Sequence, residues 1–261
     1  MTVGPATFTR WSGFYFGGVL SYNSGSADFI NATAPLVHYS LRSTTLEQQV
    51  QPSAIVVLGR GADNTVGGGA FLGYNTQWQD LILGVEATYS YTNLSTTAPA
   101  SAVARIFPTL NNEVALSASG RLSLSSYGEA RFRAGYIVGD LLPYGFIGAA
   151  VGGANYSVTT LADVAQFTPN AGSTLPPNYT CFGTGGGVTV NAAGLCQDFP
   201  FFNSAGQNNA LLWGFSVGAG LDWALTQHFF VRGEFEFVQF VPISNINLSL
   251  VSGRIGAGYK F

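Results

Sequence analysis

Residues 121–138, RLSLSSYGEARFRAGYIV, repeat with a period of two. Their odd positions carry Arg121, Ser123, Ser125, Glu129, Arg131 and Arg133, and their even positions carry Leu122, Leu124, Ala130, Phe132, Ala134, Tyr136 and Val138. Successive side chains of a β-strand point to opposite faces, so the segment reads as a strand with one polar and one apolar face. The alternation recurs in WGFSVGAGLDW (213–223), where Trp213, Phe215, Val217, Leu221 and Trp223 oppose Ser216 and Asp222. It recurs again in FFVRGEFEF (229–237), where Arg232, Glu234 and Glu236 oppose Phe229, Val231, Phe235 and Phe237.

Working outward, similar segments lie at about 12–24, 66–78, 81–92, 116–138, 143–158, 210–224, 229–240 and 246–261. An even number of antiparallel strands suits a closed barrel. The connections QWQD, GDLLP and ALTQ are tight, the one at 241–245 is brief, and those at about 25–65, 93–115 and 159–209 are long. Short periplasmic turns and long extracellular loops are the pattern of an outer-membrane barrel.

Composition decides which face is inside. Asp, Glu, Lys and Arg make up 9% of the chain, against roughly 25% in an ordinary soluble domain. That is too little charge to cover a water-facing surface. The longest apolar runs, such as GFIGAAVGGA, are broken by glycine and fall far short of the roughly 20 residues of a membrane-spanning helix. The apolar face therefore meets lipid and the polar face lines the lumen. The predicted fold is all-β: an eight-stranded antiparallel transmembrane barrel formed by residues 1–261 as one domain, with 1–10 as an N-terminal extension.

Parity assigns to the lumen Glu86, Glu129, Asp222, Glu234 and Glu236 against Arg121, Arg131, Arg133, Arg232 and Arg254. Five acids face five arginines, the expectation being a neutral structural ion network that plugs the barrel together with Phe71 and Tyr127. Rings expected at the periplasmic rim are Trp11, Trp78, Tyr136, Tyr144, Trp223, Phe229, Tyr259 and Phe261; Tyr22, Tyr89, Tyr91, Trp213 and Phe237 are placed at the outer rim.

Other chemistry finds little support. A net charge of −3 and a single lysine, Lys260, argue against a nucleic-acid partner. His38 and His228 fall on opposite rims, so no Ser-His-Asp arrangement assembles; no enzyme activity, cofactor or metal is expected. The opening MTVGPATFTR shows no secretory signal pattern. Cys181 and Cys196 lie in a Gly-, Asn- and Pro-rich stretch and read as one disulfide in an oxidising compartment. Phe199, Phe201 and Phe202 cluster in the longest loop, either as an exposed contact site or as a cap over the mouth.

The motifs WSGFYFGG, GYN, GVEATYSY, RFRAGY, LPYGFIGAAVG, GFSVGAGLDWALTQHFFVRGEFEFV and RIGAGYKF resemble the small outer-membrane β-barrel proteins of alphaproteobacteria, the outer-membrane immunogenic proteins related to the OmpA transmembrane domain. The resemblance touches all eight predicted strands and fails in the long loops. It implies that Tyr259 and Phe261, in the YKF ending, form the signal read by the barrel assembly machinery. The sequence departs from that family at Glu236, where a basic residue is usual, and at Phe71, where a polar one is. The expected role is structural or interactive, covering envelope integrity and surface contact through the loops; a narrow diffusion channel is the alternative. Expected partners are outer-membrane lipid, lipopolysaccharide, the assembly machinery and a protein partner at the extracellular loops.

Overall fold

The computed structural model describes residues 10–107, 110, 112–167 and 196–261. Eight antiparallel strands close into a barrel in sequence order: β1 (Gly13–Asp28), β2 (Arg60–Trp78), β3 (Leu81–Phe107), β4 (Asn112–Tyr136), β5 (Leu141–Phe167), β6 (Cys196–Ala224), β7 (Phe229–Phe240) and β8 (Asn247–Lys260). Closure comes from β1 on β8, running from Tyr15↔Lys260 to Asp28↔Asn247. Lipid-facing positions read as the sequence predicts: Phe16, Leu72, Val85, Phe132, Ile147, Phe215, Phe235 and Ile255 are all exposed.

The strands differ greatly in length. β7 has 12 residues and β8 has 14, whereas β3, β4, β5 and β6 have 27, 25, 27 and 29. A crossing takes roughly 9–11 residues, so β7 and β8 stop at the outer interface while the other four continue as a wall outside the membrane. The long connections are therefore shorter than the sequence reading has them. Most of 93–115 is strand, and 159–209 contributes paired strand up to Phe167 and from Cys196 onward. Segments such as TTAPASAV and LSASG are built from small residues on both faces, so they lack the apolar alternation that marks the membrane half. At 25–65, β1 runs on to Asp28, and two short helices, α1 (Ala34–Leu41) and α2 (Thr45–Val50), precede a 3₁₀ turn at Pro52–Ala54.

A second correction concerns parity. β4 and β5 shift register between Leu124↔Ala154 and Ser126↔Gly153, leaving Ser125 as an extra residue. One inserted residue moves every later side chain to the other face. Below the bulge Glu129, Arg131 and Arg133 point inward as expected; above it Leu122 and Leu124 are buried inside and Arg121 is exposed on the outer surface. β6 flips likewise at Asn208–Asn209, opposite Asn155, with Asn209 at φ 53°. Phe201 and Phe202, consecutive on the strand, lie on opposite faces, and the flip decides which of them points inward. Phe201 packs towards the inner apolar cluster, and Phe202 is 71% exposed. The side chains of Phe199 and Cys196, and all of Cys181, lie outside the described residues, and with them the expected disulfide.

Trp11 and Tyr144 also depart from expectation, since both are buried in the lumen rather than set in the rim girdle. Trp78, Tyr136, Trp223, Phe229 and Phe261 do face outward at the periplasmic end, and Tyr22, Tyr89, Tyr91 and Trp213 at the outer end.

Candidate functional site

The interior is filled in three layers. At the periplasmic end Trp11, Tyr15, Phe71, Ile82, Leu142, Tyr144, Phe146 and Phe230 form one buried cluster. The chain entering at Trp11 is tied there by its backbone N–H to Gln77 Oε1 (3.0 Å), and Lys260 Nζ donates to the Arg10 carbonyl (2.8 Å) while standing 4.2 Å from the Trp11 ring centroid.

Above it lies the ion layer. Arg232 donates through Nε to Asp222 Oδ1 and through Nη1 to Glu86 Oε2, each at 2.8 Å. Arg133 reaches Asp222 Oδ2 at 2.7 Å and Glu86 Oε2 at 3.3 Å. Arg131 joins Glu129 at 2.5 Å, Glu236 at 2.7 Å and Glu234 at 3.4 Å. Arg254 pairs with Glu236 and stands 3.6 Å from Glu129; it also donates to Tyr127 Oη at 2.6 Å. Aromatic faces complete the packing, with guanidinium carbons 4.1 Å from the Phe71 centroid (Arg232), 3.7 Å from Tyr144 (Arg133) and 4.3 Å from Phe146 (Arg131). The side chains are buried and each arginine is held between carboxylates and rings, a geometry strong only in such a low-dielectric setting.

With Arg121 outside, the layer holds five carboxylates against four guanidinium groups, not five against five. The imbalance surfaces at Glu129 and Glu236. Both share Arg131 Nη2, and the other oxygen of each, Oε1, is buried without a hydrogen-bond partner. Parity could not reveal this, because the misplaced charge sits above the β4 bulge.

The third layer is apolar, which sequence reading missed. Leu94, Leu116, Leu122, Leu124, Val238, Phe240, Leu248 and Leu250 fill the outer half of the barrel and pack with Phe29, Val37, Leu41, Leu46 and Leu58 of the α1–α2 segment. That segment caps the mouth against the inner face of the wall. Phe29 lies directly on Gly120, where an added Cβ would come within 2.8 Å of its ring. Asn203 Nδ2 of β6 donates to the Leu36 carbonyl of α1 at 3.1 Å.

His38 belongs to this cap. Its Nδ1 lies 2.9 Å from the buried Glu47, to which Ser53 also donates. The carboxylate thus stands between serine and histidine, so the imidazole is not placed to take the serine proton. His228, at the periplasmic turn, stacks on Tyr259 at 5.5 Å.

A lipid-facing closed barrel with a filled polar lumen defines an integral outer-membrane β-barrel protein. The chain belongs to the outer membrane protein beta-barrel domain family, whose model matches residues 1–261. A sequence search of curated proteins finds no match. Among solved structures it is similar to Neisserial surface protein A (13% identity, covering 96% of this chain and 98% of that one, TM-score 0.39). It is also similar to Ail, the attachment invasion locus protein of Yersinia pestis, in complex with the heparin analogue sucrose octasulfate (12%, 95% and 99%, 0.37), and to the outer membrane protein OprG of Pseudomonas aeruginosa (12%, 96% and 96%, 0.36).

Proposed function

We propose that this protein is a plugged barrel that works through its extracellular surface, in envelope integrity and surface contact, rather than by conduction or catalysis. The observation that carries this reading is the filling of the lumen at three successive levels. Eight strands leave an interior only wide enough for side chains, and here rings, ion pairs and an apolar core each occupy one level. Purified protein in a planar bilayer is expected to give no stable single-channel steps at moderate salt. Replacing Arg131 and Arg133 together by alanine is expected to stay silent too, because the aromatic layer below and the capped layer above remain. Reproducible steps from the unmodified protein, with ion selectivity changed by Glu234→Gln, would favour a narrow diffusion channel instead.

The terminal residues fit recognition by the barrel assembly machinery. Phe261 is exposed on the lipid side beside Phe16 and Tyr259, with ring centroids 6.1 and 5.2 Å away, and its backbone N–H donates to the Phe14 carbonyl at 3.0 Å. Deleting it is expected to lower the yield of membrane-inserted protein several-fold while shifting the unfolding midpoint of purified barrel little, a surface change being worth roughly 0.5 kcal/mol or less. Normal insertion kinetics in cells would overturn this assignment.

A further inference from the structure

The outward face of the β3–β6 wall is unlike the rest of the surface. Below it the barrel presents Tyr91, Leu211 and Trp213 to lipid. Immediately above, neighbouring strands set small hydroxyl residues in register: Ser95 opposite Ser123, Ser119 opposite Thr159, and Thr159 opposite Ser204. Ser119 Oγ and Thr159 Oγ1 are 2.7 Å apart. Small residues dominate this stretch, joined by Arg121, Phe202 and, further out beside Ser117 and Leu161, Asp163. Arg121 lies between Thr97 and Ser157, with its Nε donating to Ser95 Oγ at 3.2 Å. Phe202, beside Leu161, stands 71% exposed over a groove lined by Ser117, Ser119 and Thr159.

We infer that this face binds the core saccharide of lipopolysaccharide in the same outer leaflet. Three observations converge on that occupant. The face continues directly upward from the lipid-facing girdle, so what lies against it is whatever extends from the headgroups of the surrounding lipid. Its chemistry matches a sugar: hydroxyls that both donate and accept, and an exposed aromatic face suited to the C–H side of a pyranose ring, the apolar surface of an otherwise polar ligand. Arg121 adds a guanidinium for a phosphate or carboxylate substituent, which it meets bidentately. Its height also fits. The nine residues from Ser126, at the girdle, to Ser117, beside the groove, cover about 30 Å of strand, which at a tilt of roughly 35–45° is a rise of about 20–25 Å above the girdle. The inference deepens the surface-contact reading by naming the ligand, and it does not depend on whether the lumen conducts.

The test titrates folded full-length protein in detergent with lipopolysaccharide carrying a complete core and, separately, with lipid A lacking it. The core-bearing lipid is expected to bind about tenfold more tightly, a gap of about 1.4 kcal/mol. Phe202→Ala and Arg121→Ala should each narrow the gap to about threefold or less while leaving lipid A affinity and the mobility of the folded barrel on gels unchanged. Phe202→Tyr should restore it. Equal affinity of the unmodified protein for the two lipids would overturn the proposal, as would a gap that survives both alanine variants. Equally tight binding of a soluble neutral oligosaccharide would place the ligand outside the membrane and overturn the assignment to lipopolysaccharide.

Discussion

Arg232→Ala is expected to lower the stability of the folded barrel by about 3–5 kcal/mol, the range for stripping one partner from a buried ion pair. The guanidinium is shared by Asp222 and Glu86, with Glu234 at 3.7 Å and the Phe71 ring stacked on it. Its removal leaves buried carboxylates facing fewer positive charges, and opens a void under Phe71. Glu236→Gln has the opposite character. Because the layer already holds one carboxylate more than its four arginines balance, neutralising Glu236 removes repulsion from Glu129 while the amide oxygen still accepts from Arg131 and Arg254. It is expected to change stability by about 1 kcal/mol or less, in either direction, despite complete burial. Urea titration of the folded band in liposomes reads both. A Glu236→Gln loss as large as that of Arg232→Ala would show that the lumen is balanced with all five acids charged, contrary to the pairing described here.

The contrast between the membrane half of the barrel and the wall above it also marks how far the sequence could be read. Within the membrane, one face must be apolar enough for lipid and the other polar enough for the lumen, so period-two contrast is strong and locates Glu86, Arg131, Arg133, Arg232, Glu234 and Arg254 without error. Above the membrane that contrast is lost. The wall faces outward on one side and a protein cap on the other, and Ser, Ala and Thr satisfy both, so strand reads as loop. The two parity flips leave faint traces, the Ser125–Ser126 and Asn208–Asn209 doublets, and neither pair of residues favours one face enough to announce a bulge. Pro99, which cannot donate to a ladder, coincides with the shift between Ala98 and Ser101. The cap was illegible for a different reason. Nothing in APLVHYSL says what it docks against; that is fixed by Gly120 and Leu122 on a strand about eighty residues away, whose inward direction itself depends on the bulge at Ser125.

Phe29→Ala is expected to undock that cap while the barrel stays folded. Phe29 is fully buried and lies on Gly120 between the wall and the cap, and its backbone N–H donates to the Gly59 carbonyl at 3.2 Å, closing the base of the α1–α2 segment. Truncating a buried phenylalanine costs about 3–5 kcal/mol. For β1–β8, braced by continuous hydrogen-bond ladders and the ion layer, such a loss is a fraction of the whole; for a segment of two short helices held by apolar contact and the Asn203–Leu36 bond, it is comparable to all that holds it. The opening is therefore local. Its readout is proteolysis at Arg42, which is exposed yet held on the C-terminal turn of α1 with its side chain stacked 3.7 Å from the Tyr39 centroid. Trypsin should cut there at least tenfold faster in Phe29→Ala than in the unmodified protein, a factor that about 1.4 kcal/mol of local destabilisation already supplies, with the barrel core protected in both. Gly120→Leu tests the same contact from the other side, since its side chain would occupy the space of the Phe29 ring. If both variants are cut at the unmodified rate, the cap is held by something other than the Phe29–Gly120 contact. If the barrel is degraded together with the cap, the two are one cooperative unit, and the extracellular segment is part of the fold rather than a cover over it.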